Sequence, residues 1–513
     1  MTLKIMTSEE IEEYFVQKYN ESHLPGLAAA ILKDGEVVYN KGFGFADIGE
    51  KIEINPDTTF QIGSISKTFT LIAIMQQWEK GKFELDDDVN EYLPHDRVGF
   101  VGSKKYDDAP VTFRLLLTHT AGIGEIKSYS DILALPRGLL FIQPKNKPLL
   151  PLEDRLKWGI PCYIKPGTKY SYANHGISLL GYLVEQFSGE SFHDYIRNHI
   201  LEPLSMDRSD AYLSDRVKPT LAKPYKYKGG KFKEKRIVRV WGRPAGGIYS
   251  CVNDMIKYVK MLLNWGKVSG AENRIIKRET LELTYKNHFC LDPRLEQFGL
   301  IWHIYHLEGT KFLWHGGQTM GYNSSLHICP EKDLAVILHS NCSQNRPTYT
   351  IGRSLLWNFY GIKPDSKTKI GHPKASEISF LDKLTGYYGM MRGFLTNTRN
   401  FGDIGEFQVY REGRDLYLKS IWGTKKHGVR LYPADPEDPY MFYLKQHLSS
   451  HVIEPYEGVL FREDHSGNIE GFDYRLNRFL KRSSVKAMHN KFKIAAIVLP
   501  LVAIGILMFT LLR

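Results

Sequence analysis

Ser64-Ile65-Ser66-Lys67 opens the stretch SISKTFTLIAIMQQWEKGK, Ser64 to Lys82, and the reading of that stretch decides both fold and chemistry. Ile65, Phe69, Ile72, Met75 and Trp78 recur at spacings of three and four, which predicts a helix with an apolar face. Residues three apart share a helix face, so the Lys67 amine can reach the Ser64 hydroxyl. A serine alcohol is a poor nucleophile until a neighbouring base takes its proton. At a helix start the positive end of the macrodipole also favours a developing oxyanion. Alone the pattern is weakly specific, because an N-cap serine followed by a solvated lysine reads the same way.

Two further stretches raise its weight. Tyr172-Ala173-Asn174 lies within PGTKYSYANHGISLLGYLVEQFSG, where Pro166-Gly167 forms a turn and Ile177, Leu180, Leu183 and Val184 start an amphipathic helix. The triplet is thus presented on the loop before a rigid element. There a tyrosine can shuttle a proton, and an asparagine can orient Lys67 and hold a substrate carbonyl. The bland alternative is an aromatic residue in an Asn-capped turn. His315-Gly316-Gly317 follows the strand-like run Phe312 to Trp314. Two glycines at a strand edge permit close backbone approach, so the N–H of Gln318 is expected to join that of Ser64 in an oxyanion hole. A lone histidine there is otherwise a satisfied structural residue.

The order S-x-x-K, Y-x-N, H-G-G resembles that of the class C β-lactamase and penicillin-binding esterase/D-aminopeptidase superfamily. LLLTHTAGI at Leu115 to Ile123, PAGGIYSCVNDM at Pro244 to Met255 and FGLIW at Phe298 to Trp302 extend the resemblance, which covers about residues 10 to 360. It implies an α/β fold of β-lactamase/transpeptidase type: an antiparallel sheet flanked by helices, plus an all-helical region. It also implies a serine that is acylated and then hydrolysed. By motif, Ser64 is the nucleophile and Lys67 with Tyr172 the base/acid pair. Asn174, His315, Gly317 and Gln318 fall to substrate binding. One departure stands out: the relatives named β-lactamases carry Lys-Thr-Gly where this chain has His-Gly-Gly. A lysine supplies a permanent positive charge for a substrate carboxylate, whereas an imidazole with an ordinary pKa of about 6.5 is mostly neutral at pH 7. Esterase or peptidase chemistry is therefore expected ahead of β-lactam hydrolysis.

Composition sets the outer limits. The 513 residues are 42% hydrophobic and 24% charged, ordinary globular values that exclude a disordered chain. Cys162, Cys251, Cys290, Cys329 and Cys342 are scattered, odd in number and without a C-x-x-C pair, so they read as small buried hydrophobes. No metal or nucleotide cofactor is implied: no H-E-x-x-H, Walker loop or G-x-S-x-G is found. Arg216 to Arg243 holds eleven Lys or Arg against the single acid Glu234. Its alternation about Gly229-Gly230 fits a solvated hairpin edge defended by lysines better than a nucleic-acid interface.

The chain divides into a catalytic domain at 8–362, a polar linker at 363–376 and an all-β block at 377–480. The block's short runs FQVYREG, DLYLKSI, YMFYLKQ and GVLFRED suit a small barrel or sandwich and resemble the lipocalin-like domain of some relatives. Residues 481–493 form a basic juxtamembrane segment. The uncharged run IAAIVLPLVAIGILMFTLL at 494–512 predicts a transmembrane helix. With an acidic N-terminus lacking a signal-type segment, the expectation is a C-terminal anchor with the catalytic domain in the cytoplasm. Small esters, amides or peptides are the expected substrates. Two alternatives remain: a non-catalytic membrane scaffold on the same fold, or a cell-wall carboxypeptidase or transpeptidase should the domain face outward. Oligomeric state is not readable.

Overall fold

The computed structural model describes residues 6–123, 142–143, 151–307, 309–343, 347–359, 378–390, 407–420, 428–434, 438–444, 447–449, 452–453 and 457–482. Apart from the short pieces 447–449 and 452–453, they fall into two compact units, one ending at residue 359 and one starting at 378. The expected linker at 363–376 lies outside the described residues.

The first unit is built on an eight-stranded sheet. Its strands are β1 (Gly26–Lys33), β2 (Glu36–Asp47), β3 (Ile52–Glu53), β4 (Gln297–Phe298), β5 (His303–Leu307), β6 (Thr310–Gln318), β7 (Asn323–Cys329) and β8 (Leu334–Ser340). They lie in the order β4-β5-β6-β7-β8-β1-β2-β3, all antiparallel, so the first and last parts of the unit meet at the β1–β8 seam. The hairpin expected at the start forms at Asp34-Gly35, both at positive φ, as a tight turn between twisted strands requires. Both sheet faces are covered, which explains why β1 and β8 are apolar without alternation. Ala28, Ala30 and Leu32 pack in one core with Met255 and Val259 of the helix Val252–Leu263. On the other face Phe15 of helix α1 (Ser8–Ser22) stacks on Tyr39, the cross-strand partner of Ile31.

Helix α2 (Ser66–Glu79) runs through the first core with every residue from Ser66 to Met75 buried. The predicted single apolar face thus understates it: a helix buried all round needs its polar side chains satisfied internally, and Thr70 does so by donating to Pro244 O at 2.7 Å. Helix α3 (Asn174–Ser188) starts at the predicted triplet and stops at Gly189, which adopts φ 75. The lysine-rich hairpin forms as Tyr225–Lys228 paired with Lys231–Glu234, its aromatic side facing His23, whose ring stacks 5.2 Å from that of Tyr227.

The second unit closes as an antiparallel barrel: β9 (Gly386–Met390), β10 (Phe407–Glu412), β11 (Asp415–Ser420), β12 (Val429–Pro433), β13 (Met441–Leu444), β14 (Glu457–Glu463), β15 (Ile469–Tyr474) and β16 (Asn477–Arg482). Of the two forms left open by sequence, barrel or sandwich, it takes the barrel. β9 pairs with both β10 and β16, which removes the free edges. Phe407, Phe442, Phe461, Phe472 and Phe479 fill its centre with Val409, Leu418 and Leu444.

The expectation of a transmembrane helix, and of a membrane-anchored chain with a cytoplasmic catalytic domain, is corrected here. Among the described residues no helix is long and apolar enough to cross a membrane. Helices α1 and α3 have 15 residues each. At about 1.5 Å per residue such a helix reaches roughly 22 Å, short of a ~30 Å hydrocarbon core. The run 494–512 and most of the basic segment before it lie outside the described residues.

Candidate active site

Ser64 sits in one 3-10 turn, Gly63–Ile65, that leads straight into α2. The turn is stapled on its flank. The Ser66 hydroxyl donates to Gly63 O at 2.7 Å and accepts from the Ile248 N–H at 3.0 Å, while the Ile62 N–H donates to Ile248 O at 3.0 Å. The position of Ser64 is therefore fixed by backbone partners on a neighbouring stretch. Ser64 itself is only 5% exposed.

Lys67, one turn on, is fully buried. Its Nζ donates to Asn174 Oδ1 at 2.7 Å and to Ala245 O at 2.5 Å, and lies 3.0 Å from Ser64 Oγ. Two of these three neighbours are carbonyl oxygens, which only accept. They engage two N–H bonds and leave the third direction of the nitrogen aimed at the serine oxygen. As an ammonium, Lys67 donates to Oγ along that direction; as an amine, it turns its lone pair to the hydroxyl proton. The same geometry serves both ends of a proton transfer.

Tyr172 reaches the cluster from the loop before α3, and Lys67 Nζ lies 4.9 Å from its ring centroid. His119 packs against the same ring, 4.3 Å away centroid to centroid. Asn174 opens α3 and is buried, its backbone carbonyl accepting from the Ser178 hydroxyl at 3.0 Å.

The end of β6 passes against the Ser64 turn. A Cβ placed on Gly317 would lie 1.8 Å from Ile62 O and 3.2 Å from Ser64 N, and one on Gly63, which adopts φ 56, would lie 2.6 Å from Gln318 N. Only glycine fits either place. The backbone nitrogens of Ser64 and Gln318 are thereby brought to one edge. The Gln318 side chain turns elsewhere, donating to Ser343 O at 2.7 Å. His315, two residues before Gly317, shares its strand face and is 2% exposed. Its Nδ1 donates to Gly316 O at 2.8 Å, which places the ring hydrogen on that nitrogen.

All seven residues singled out by sequence thus lie in one region, around the start of α2, the start of α3 and the end of β6. Sequence reasoning passed over two others. The carbonyl of Ala245 has no side-chain signature, although its stretch PAGGIYS was noted. His119 stood in LLLTHTAGI without an assigned part. The sheet also carries two imidazoles kept neutral by burial: His339 and His327 are both pushed down to about 3, the second also by the nearby Arg353 guanidinium.

Comparisons with known proteins agree with this architecture. The β-lactamase family model matches residues 11–356. Protein flp of Staphylococcus aureus (strain N315) is 27% identical over 338 residues, 65% of this chain and 63% of that protein. The chain therefore spans less than two thirds of the length of such curated relatives. An octameric penicillin-binding protein homologue from Pyrococcus abyssi superposes with a TM-score of 0.59 at 26% identity, over 93% of this chain and all of that one. EstCE1, a hydrolase with promiscuous acyltransferase activity, shares the fold at a TM-score of 0.56 and 20% identity, over 69% of this chain and 98% of that one. With its family model covering more than half of the sequence, the chain belongs to the β-lactamase family of serine hydrolases.

Proposed function

We propose that residues 8–362 form a hydrolase working through an acyl-enzyme on small esters, amides or peptides, with Ser64 as nucleophile. The observation that carries this reading is Lys67 Nζ held by Asn174 Oδ1 and Ala245 O with its remaining direction on Ser64 Oγ. Ser64 Oγ attacks the substrate carbonyl carbon as its proton passes to the Lys67 amine. The resulting oxyanion is met by the N–H groups of Ser64 and Gln318. Tyr172, whose ring lies against Lys67, hands a proton to the leaving group and is reprotonated from Lys67. Water then attacks the acyl carbon by the reverse route and restores the free serine. Asn174 orients Lys67 and faces the substrate carbonyl side.

Esters and neutral amides suit this site better than β-lactams. His315 stands where the β-lactamase lysine would stand, and an imidazole carries no permanent charge of the kind a lysine supplies, so no fixed cation meets a substrate carboxylate there. A fluorophosphonate probe should label the wild-type chain and leave Ser64→Ala unlabelled. Equal labelling of the two would remove the assignment and leave a non-catalytic member of the fold.

A further inference from the structure

His119 carries none of the roles assigned above, yet it holds Tyr172 from two sides. The Ser171 N–H donates to the His119 carbonyl oxygen at 2.7 Å, and the Ala173 N–H donates to His119 Nδ1 at 3.3 Å. The peptide N–H groups flanking Tyr172 therefore both end on one residue. An Nδ1 that accepts leaves the ring hydrogen on Nε2, the tautomer opposite to that of His315.

The rings add a second tie. The His119 imidazole packs 4.3 Å from the Tyr172 ring at a tilt of 38°, with Phe298 at 5.7 Å and Tyr170 edge-on at 5.9 Å. His119 is 2% exposed and adopts φ 56, a left-handed conformation that a non-glycine residue keeps only when its surroundings impose it. That backbone turn lets the carbonyl and the ring of one residue reach the two sides of Tyr172 together.

We propose that His119 is a positioning residue, whose carbonyl oxygen and Nδ1 clamp Ser171 and Ala173 so that the Tyr172 ring stays over Lys67. The inference rests on the part given to Tyr172 in proton transfer. It differs from a general packing role in two respects: it requires an acceptor at the Nδ1 position, and it acts only through Tyr172.

Hydrolysis of p-nitrophenyl acetate by the full chain tests it. Asparagine tolerates the left-handed backbone and puts an oxygen near the place of Nδ1; glycine tolerates the same backbone and has no acceptor. His119→Gly is expected to lower kcat about tenfold or more with KM within about twofold, while His119→Asn stays within about threefold of wild type. In a Tyr172→Phe background, His119→Gly should add less than about a twofold loss, because its only route to the chemistry is already gone. Should the glycine variant not unfold cooperatively, His119→Leu takes its place, and its strain at φ 56 is separated from the clamp by the same Tyr172→Phe double variant. Equal losses in the asparagine and glycine variants, an additive loss in the double variant, or an unchanged kcat in His119→Gly would each overturn the proposal. Ser64→Ala is run alongside: activity surviving there defeats the site assignment itself, whereas a dead Ser64→Ala with an indifferent His119 defeats only the clamp.

Discussion

Replacing Gly317 by alanine should disable the enzyme while leaving the fold in place. The new Cβ would start 1.8 Å from Ile62 O, 2.9 Å from Ile62 C and 3.2 Å from Ser64 N. A carbon and an oxygen in ordinary contact stay about 3.3 Å apart, so β6 and the Ser64 turn must separate by roughly 1.5 Å. Both partners are backbone, and neither can turn aside as a side chain would. Such overpacking costs about 1–3 kcal/mol of stability. The catalytic effect is larger: a 1 Å misplacement is worth about 100-fold, and losing one oxyanion donor about 100- to 1,000-fold. Gly316→Ala is the internal control, since its Cβ would meet only the Trp314 ring edge at 3.3 Å and Ser324 O at 3.9 Å. Ester hydrolysis and thermal unfolding of the two variants should therefore diverge. Gly317→Ala is expected to lose at least about 100-fold in kcat/KM, and Gly316→Ala less than about tenfold. Similar activity in both, whether high or low, would refute the close approach of β6 to the nucleophile turn as the source of the effect.

Two further outcomes are expected. Asn174→Leu removes an acceptor from the buried Lys67 Nζ and should lower kcat about 10- to 100-fold, more than KM changes; an unchanged kcat contradicts the part given to its Oδ1. Acid should destabilise the first unit through His327 and His339, which are pushed down to about 3 by burial while an unfolded histidine titrates near 6.5. Between those values the unfolded chain binds more protons. Stability is thus intact above about pH 6.5 and falls by about 1.4 kcal/mol per pH unit for each histidine as pH drops toward 3. Urea midpoints measured from pH 7.5 to 5 should decline, and a flat profile would show that neither imidazole is buried neutral.

Much of this molecule could be read before its coordinates. Polar residues stand out when they interrupt apolar periodicity, as Ser64 and Lys67 do at the head of α2, and as Tyr172 and Asn174 do before α3, and the structure brings these four together. The alternation in FQVYRE and DLYLKS announced strands of the second unit, because a barrel wall with one packed face must alternate. Closure was not legible there: pairing of β9 with β16 depends on register over a separation of some ninety residues, which no local pattern encodes. Nor was the carbonyl of Ala245, since a main-chain acceptor leaves no mark on residue type. His119 was visible only as a letter in a matched stretch, because its part lies in backbone conformation. The apolar run at 494–512 drew a membrane helix from hydropathy alone, and the described fold contains no such span.

The central claim is that Lys67 takes the Ser64 proton. Its most direct test is the second-order rate at which a fluorophosphonate acylates the full-length chain, with the adduct located by peptide mass spectrometry, in wild type and in Lys67→Met. The account predicts an adduct on Ser64 and a rate at least about 1,000-fold lower in the variant, with circular dichroism unchanged. Acylation of Ser64 at the wild-type rate without the amine would contradict it.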